Sequence, residues 1–378
     1  MIKYLRINNF RNYNDVRLDI DSNIVVLYGE NGAGKTNVLE AISTFSETNG
    51  LRRSKYEEMI LSSDEKRSSW NAVLSTESAE FSSGYTLGEK YGKRIYKVGD
   101  KSVRNLSEFL KENYILWLTY ETDRLFMQSP SSRRDFIDMF CCVQDRIHNS
   151  NLRNYEKLAR ERLKILKKSF DNGLSSSVSS WLDIVESKLA DYGLKISKNR
   201  IATTKTLEKG QLQSCEFPKF QNKMTGALED DILGGESDSP LDHYRSELRN
   251  RRQKDFFSGI TTFGPNRSDW KVCHKEKQIA AFMCSAGEQK MLLSGVFLAF
   301  VISNMKNDDR NLILLLDDVI AHLDAHHRNL IFGYIRSLVG QNSDKISTWL
   351  SGTDKNLFGE LSDQATFYNV HDNCIRKC

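Results

Sequence analysis

The sequence predicts an α/β protein whose sheet-bearing head is split along the chain by an inserted α-helical arm. Three observations carry that expectation. A glycine-rich loop stands between the strand-like Ile24–Tyr28 and a helical pattern at Val38, Leu39 and Ile42. Residues 126–254 change to long amphipathic helical texture, and beyond them the wholly apolar run Leu312–Leu316 ends abruptly in Asp317-Asp318. Short apolar runs of this kind suit strands covered on both faces, so the chain leaves one α/β unit, builds the arm and returns to finish it.

Taken in order, Ile2–Ile7, Val16–Ile20 and Ile24–Tyr28 have strand length and β-branched content. The loop that follows opens a helix with Thr36 and Asn37 in its first turn. Trp70–Leu74, Tyr91–Val98 and Tyr114–Leu118 are strand-like again, with Gly and Ser between them. After Pro130, Leu152, Tyr155, Leu158, Leu163, Leu166 and Phe170 recur three to five residues apart among Lys, Arg and Glu. Helical patterning resumes at Trp181–Leu189, weakens through Gly234–Pro240 and returns from Leu241 to Lys254. Strand texture reappears at Ile260, followed by an apolar helix at Glu288–Ser303, the strand Leu312–Leu316 and a last strand and helix region. The expected division is head 1–125, arm 126–254 and head 255–378.

The residues that carry chemistry begin with Gly29-Glu30-Asn31-Gly32-Ala33-Gly34-Lys35-Thr36, a complete G-x-x-x-x-G-K-[ST] string between a strand and a helix. Glycines let successive amides face phosphates, the helix N-terminus adds its positive end, Lys35 reaches the terminal phosphates of ATP, and the Thr36 hydroxyl holds Mg²⁺. Such a loop needs an acidic partner at the end of a rigid strand. Asp317 is the expected Mg²⁺ partner, and Asp318 either polarises the attacking water or caps the next helix. Between these motifs lies Cys284-Ser285-Ala286-Gly287-Glu288-Gln289, where Ser285 and Glu288 alone read as a capping box. The order P-loop, Ser-x-Gly-Glu, apolar strand with acidic pair, then Ala321-His322-Leu323-Asp324 is that of an ABC-type ATPase head. In that class Ser285, Gly287 and Glu288 cap the nucleotide held by a second protomer.

Further segments extend the likeness. Ile7-Asn8-Asn9-Phe10-Arg11-Asn12-Tyr13, Pro130-Ser131-Ser132-Arg133-Arg134-Asp135-Phe136-Ile137-Asp138 and Phe263-Gly264-Pro265-Asn266-Arg267-Ser268-Asp269 resemble the RecF family over nearly the whole chain, Asn266 standing where the family carries His. Tyr120–Phe126 matches the family only loosely at the Q-loop counterpart, and Gly352-Thr353-Asp354 stands where ABC heads carry a switch residue. The resemblance implies Arg11 and Asn12 near the nucleotide, an ATP-dependent homodimer, and slow ATP hydrolysis stimulated by DNA. It further implies binding to gapped or single-strand/double-strand junction DNA, and cooperation with RecO-like and RecR-like proteins in recombinase loading.

Composition bounds the rest. A mean hydropathy of −0.51 with 39% hydrophobic residues is that of an ordinary globular chain. No apolar run is read as approaching the roughly 20 residues that cross a bilayer, and nothing marks the chain for export, so no membrane partner and a cytoplasmic location are expected. Seven cysteines without repeated spacing argue against a disulfide framework. A net charge of +4 is too small to identify a nucleic-acid partner. Two basic runs, Arg153–Lys168 and Arg245–Lys254, together with Arg52, Arg53 and Lys55, are therefore either solvated faces or DNA contacts. Heptad coiled coil of structural-maintenance length is not read in the sequence, and an acidic nuclease site after the head is not expected. The remaining rival is a DNA-independent regulatory ABC-type ATPase.

Overall fold

The apolar run Leu312–Leu316 lies inside the strand Asn311–Asp317, buried from Leu312 onward. It belongs to a six-stranded sheet in the order Cys374–Lys377, Ala365–His371, Ile24–Tyr28, Ile346–Gly352, Asn311–Asp317, Asn113–Thr119. All pairings are parallel except that of the terminal hairpin strand Cys374–Lys377. Leu316 is opposite Leu350, and Gly352 is opposite Tyr28. In consequence Asp317, Gly352 and Gly29 leave the sheet together at its carboxyl edge, where open α/β sheets bind their ligands.

A second six-stranded sheet is wholly antiparallel, in the order Tyr13–Asp19, Ile2–Phe10, Ser69–Thr76, Glu80–Thr86, Lys93–Val98, Lys101–Val103. Ser69–Thr76 alternates strictly between buried and half-buried residues, as a strand with one core face must. One apolar cluster joins both sheets to the helix Lys35–Ser43 through Leu5, Ile7, Val25, Leu27, Val38, Leu39, Trp70, Ile313, Leu315 and Trp349.

The structure, a computed structural model, describes residues 2–378 other than 49, 63–67, 89–90, 171–174, 212–216, 235–238, 321–322 and 343. The chain divides into two units, Met1–Asp123 with Met305–Cys378, and Arg124–Asn304. The second unit holds the helices Pro130–Gln144, His148–Phe170, Ser176–Lys209, Ala227–Gly234, Pro240–Asn250, Arg252–Ser258 and Ala286–Met305, the last running one residue past its boundary. It also holds a three-stranded antiparallel sheet in the order Ile279–Ala280, Asp269–His274, Phe220–Thr225. Residues 255–304, assigned from sequence to the head, thus fall in the unit of the arm. The pairing of Asp269–His274 with Phe220–Thr225 ties them there.

Helix Ala286–Met305 corrects the expectation about apolar runs. By length and composition it could cross a bilayer, yet 72% of its most apolar window is buried inside the protein. A helix apolar on all sides is also what a core helix looks like.

Candidate functional site

The loop between Tyr28 and Lys35 is shaped by its glycines. Gly29, Gly32 and Gly34 have φ of 152°, 84° and 110°, in the region that favours glycine. Space adds to the requirement at two of them. A Cβ on Gly29 would lie 2.1 Å from the Val370 carbonyl oxygen, and one on Gly34 would lie 2.4 Å from Asn12 Nδ2. Lys35 is buried, and its Nζ donates to the carbonyls of Gly29 (2.7 Å) and Glu30 (2.8 Å). Burial pushes its pKa below the usual lysine range, while Asp318 and Asp317 pull it back up. An ammonium held this way favours a polyanion as its partner.

The acidic pair is built by neighbouring strands. Asp317 Oδ1 accepts from Thr36 Oγ1 (2.9 Å) and from Ser351 Oγ (2.7 Å), and Ser351 Oγ accepts from the Asp318 amide (2.9 Å). Burial raises the Asp317 pKa, the two hydroxyls lower it, and the Asp318 charge raises it again. Asp318 has φ 52°, an uncommon conformation for a residue with a side chain. Its Oδ1 is buried and has no hydrogen-bond partner among the described residues, which is costly for a carboxylate unless a ligand supplies one.

Thr36, Asp317 and Asp318 line an open cavity of about 690 Å³ with Asn31, Gly32, Arg52, Thr119, Tyr120, Glu121, Arg328, Gly352 and Thr353. That is the size range of sites for nucleotide-sized ligands. Tyr120 and Glu121, from the loosely matching Q-loop segment, and Thr353, from the switch position, are therefore at the cavity. Arg11 is not among its lining residues. Its Nε and Nη2 donate to the two Glu40 oxygens (2.8 and 2.7 Å), and Nη1 donates to the Glu58 carbonyl (2.8 Å). Glu40 is fully buried, and a buried carboxylate demands such a cation. Arg52, read from sequence only as a DNA candidate, lines the cavity and donates to Asn37 Oδ1 (2.7 Å). Asn12 supports the loop, donating to Ala33 O (3.4 Å) and accepting from Asn37 Nδ2 (2.7 Å). Ser351 was missed in the sequence; it becomes a neighbour of Asp317 only through the strand order.

Ser285, Gly287 and Glu288 belong to the second unit. The Ser285 amide donates to Glu288 Oε2 (2.9 Å) and the Glu288 amide to Ser285 Oγ (3.4 Å), so the capping box forms. Ser285, Ala286 and Gly287 are exposed at this helix N-terminus. Lys277, hydrogen-bonded and ion-paired to Glu288, and the Ser285 amide bring the Glu288 pKa down to about 2. Of the D-loop string, Ala321 and His322 lie outside the described residues. Asp324 caps helix Ala325–Gln341 by accepting from the His327 amide (2.9 Å).

The segments Pro130–Asp138 and Phe263–Asp269 meet each other. Arg133 donates to both Asp269 oxygens (2.8 and 2.9 Å), and Arg134 donates to the Ser268 carbonyl (2.7 Å). Arg200 donates to both Asp138 oxygens (2.7 Å each) and to the Pro265 carbonyl (2.6 Å). Gly264 has φ 124°, and a Cβ there would lie 2.0 Å from the Tyr244 hydroxyl. These residues fasten helices of the second unit to one loop. The basic runs also resolve. In the second run Arg245 pairs with Asp191 and Asp242, Arg249 with Asp183, Arg251 with Glu247, and Arg252 with Asp183 and Glu186. In the first run Arg162 is fully buried on Glu186 (2.8 Å) and Asp255 (2.6 Å), whereas Lys157, Lys164, Lys167 and Lys168 are exposed.

A P-loop and an acidic-ended strand meeting at the carboxyl edge of one sheet, with a Ser-x-Gly-Glu helix start elsewhere in the chain, define an ABC-type ATPase head. Residues 1–352 match the family described as RecF/RecN/SMC N terminal domain. The chain is 35% identical over 377 residues to the DNA replication and repair protein RecF of Brucella suis biovar 1 (strain 1330), covering 98% of this chain and 94% of that one. It is 33% identical over 352 residues to the same-named protein of Rickettsia prowazekii (strain Madrid E), covering 93% of each. The chain belongs to the RecF family. In fold it is similar to a structure of the recombination mediator protein RecF-ATP in the RecFOR pathway, with TM-score 0.79, 22% identity and coverage of 100% and 97%. It is also similar in fold to the Smc head domain of Pyrococcus furiosus bound to the C-terminal domain of ScpA, with TM-score 0.51, 14% identity and coverage of 100% and 95%.

Proposed function

We propose that this chain is a DNA-repair ATPase of the cytoplasm, whose two copies close around ATP and clamp gapped or single-strand/double-strand junction DNA. Slow hydrolysis then acts as a release switch, and RecR-like and RecO-like proteins are the partners in recombinase loading. The observation that carries the reading is the join between Thr36 and Asp317 beside an Asp318 oxygen that has no partner among the described residues, all three lining the cavity next to the P-loop.

The glycine loop and Lys35 would bind the phosphates; Thr36 and Asp317 would hold Mg²⁺. That cation supplies charge neutralisation at the terminal phosphates when bound. Asp318 accepts a proton from the attacking water through Oδ1, and its backbone, fixed by Ser351, holds that oxygen in place. Arg52 adds a positive charge to the cavity wall. Ser285, whose amide is held by Glu288, and Gly287 present the exposed helix start to the nucleotide of the second copy.

The test is ATP hydrolysis by the purified protein without DNA, with blunt duplex and with gapped duplex, over a salt series. Stimulation by gapped DNA that fades as salt rises is the expected result. Turnover indifferent to every DNA would leave the ATPase and turn the reading to a DNA-independent regulatory enzyme.

A further inference from the structure

The exposed lysines of the first basic run share one face of their helix. At about 100° per residue, Lys157, Lys164, Lys167 and Lys168 fall within an arc of about 100°, opposite the face of Tyr155 and Leu166. Tyr155 and Leu166 are buried and these lysines are exposed. Among the described residues Lys164, Lys167 and Lys168 make no ion pair, in contrast to the arginines of the second run. The stripe therefore presents charge that the fold does not use internally.

The helix Ser176–Lys209 brings a different chemistry to the same level of the hairpin. It packs antiparallel to His148–Phe170, and the Arg162–Glu186 ion pair (2.8 Å) fixes their register. Counting outward from that pair, Trp181 stands at the level of Lys167 and Ile184 at the level of Lys164. Trp70, Trp270 and Trp349 are buried, but Trp181 is 51% exposed and Ile184 57% exposed. An indole in solvent forgoes the burial that gives this side chain its value in a core. Ser175 caps the start of the same helix, accepting from the Val178 amide, so the positive end of a 34-residue helix lies about one and a half turns from Trp181.

We propose that the outer end of this helical hairpin is a contact for single-stranded nucleic acid, with Trp181 stacking on an unpaired base and Lys164, Lys167 and Lys168 bound to the flanking phosphates. A duplex offers the phosphates but keeps its base faces stacked, whereas a single strand offers both. The proposal rests on the DNA-binding reading above and adds a place on the chain and a preference for the strand form.

Full-length Trp181→Ala, Trp181→Phe and Lys164→Glu/Lys167→Glu proteins would be titrated with labelled oligo-dT and with blunt duplex of equal length. DNA-free ATP turnover serves as the control for folding, since none of these residues belongs to the ATP site. Trp181→Ala weakens oligo-dT binding about tenfold and duplex binding less than about twofold, while Trp181→Phe, which keeps a ring, recovers most of the loss. The double charge reversal lowers the salt slope for oligo-dT by about 1. Trp181→Ala binding oligo-dT like the parent, or losing equally on duplex, overturns the proposal. So does an effect of the charge reversal alone, which would point to an acidic protein surface as the occupant. A parent protein that binds neither DNA refutes the DNA-binding reading itself, a result distinct from a parent that binds both and a tryptophan variant that is unchanged.

Discussion

Asp318 shows how a residue position can be decided by backbone as much as by chemistry. Its φ of 52° is tolerated by Asp and Asn because their short polar side chains compensate locally, and is strained for Ala. Asp318→Asn is therefore the informative substitution: it keeps the turn and the Ser351 contact while removing the carboxylate proposed to accept the proton. ATP affinity should stay within about threefold and turnover should fall by about 10²-fold or more. Lys35→Ala should do the reverse at the binding step, weakening ATP by at least about tenfold in a nucleotide-binding titration. Normal affinity in the lysine variant would sink the P-loop assignment, and normal turnover in the aspartate variant would remove Asp318 from water activation. Both residues were legible in the sequence, because a glycine string and a strand ending in two carboxylates are local patterns. Arg11 and Ser351 were not. What Arg11 touches depends on Glu40 and Glu58, and on Ser54 Oγ, to which its Nη2 also donates (2.7 Å); what Ser351 touches depends on which strand lies beside Asp317.

Elements follow the same division between local and distant causes. Helix Pro130–Gln144 was readable from Pro130 and the preceding Ser129, which caps it. Strand Phe220–Thr225 lay within the stretch read as a helical arm; its partner Asp269–His274 is far along the chain, and its alternation is only six residues long. The Arg200–Asp138 pair offers a test of what binds the second unit together. Burial alone would raise the Asp138 pKa, but the Arg200 charge and hydrogen bonds from Arg200 and His148 hold it well below the usual carboxylate range. A folded pKa below the unfolded one gives stability that is complete above about pH 5 and is lost as pH falls further. Asp138→Asn should thus cost about 3–5 kcal/mol at neutral pH, by leaving Arg200 buried without its counter-charge. It should also flatten the fall of unfolding free energy below about pH 5. Urea unfolding at several pH values measures both, and an unchanged acid slope would mean that Asp138 is not the titrating group.

For the whole molecule, net charge is a poor guide and its placement a good one. The second basic run contains five cations, Arg245, Arg249, Arg251, Arg252 and Lys254, yet its four arginines are matched by acidic groups of the same unit. Arg245→Ala/Arg249→Ala should accordingly leave DNA affinity within about twofold at physiological salt, since paired arginines release few phosphate counterions. A tenfold loss would show that these pairs open on DNA. Sequence alone could not sort the two runs, because both have the spacing of a solvated helix and only the packed partners separate them.

The strand order has a consequence for how the chain is made. Ile24–Tyr28, which leads into the P-loop, lies in the sheet between Ile346–Gly352 and Ala365–His371. It leaves the ribosome early, and at about 5–20 residues per second its partners follow only after an interval on the order of tens of seconds. During that time an apolar strand stands with both edges open, while the antiparallel sheet of residues 2–103 can already pair within itself. The second unit, contiguous in sequence, can also fold before its host is complete. Nucleotide affinity is then the last property the nascent chain acquires, and ATP would bind and stabilise only a polypeptide whose final strands have been delivered.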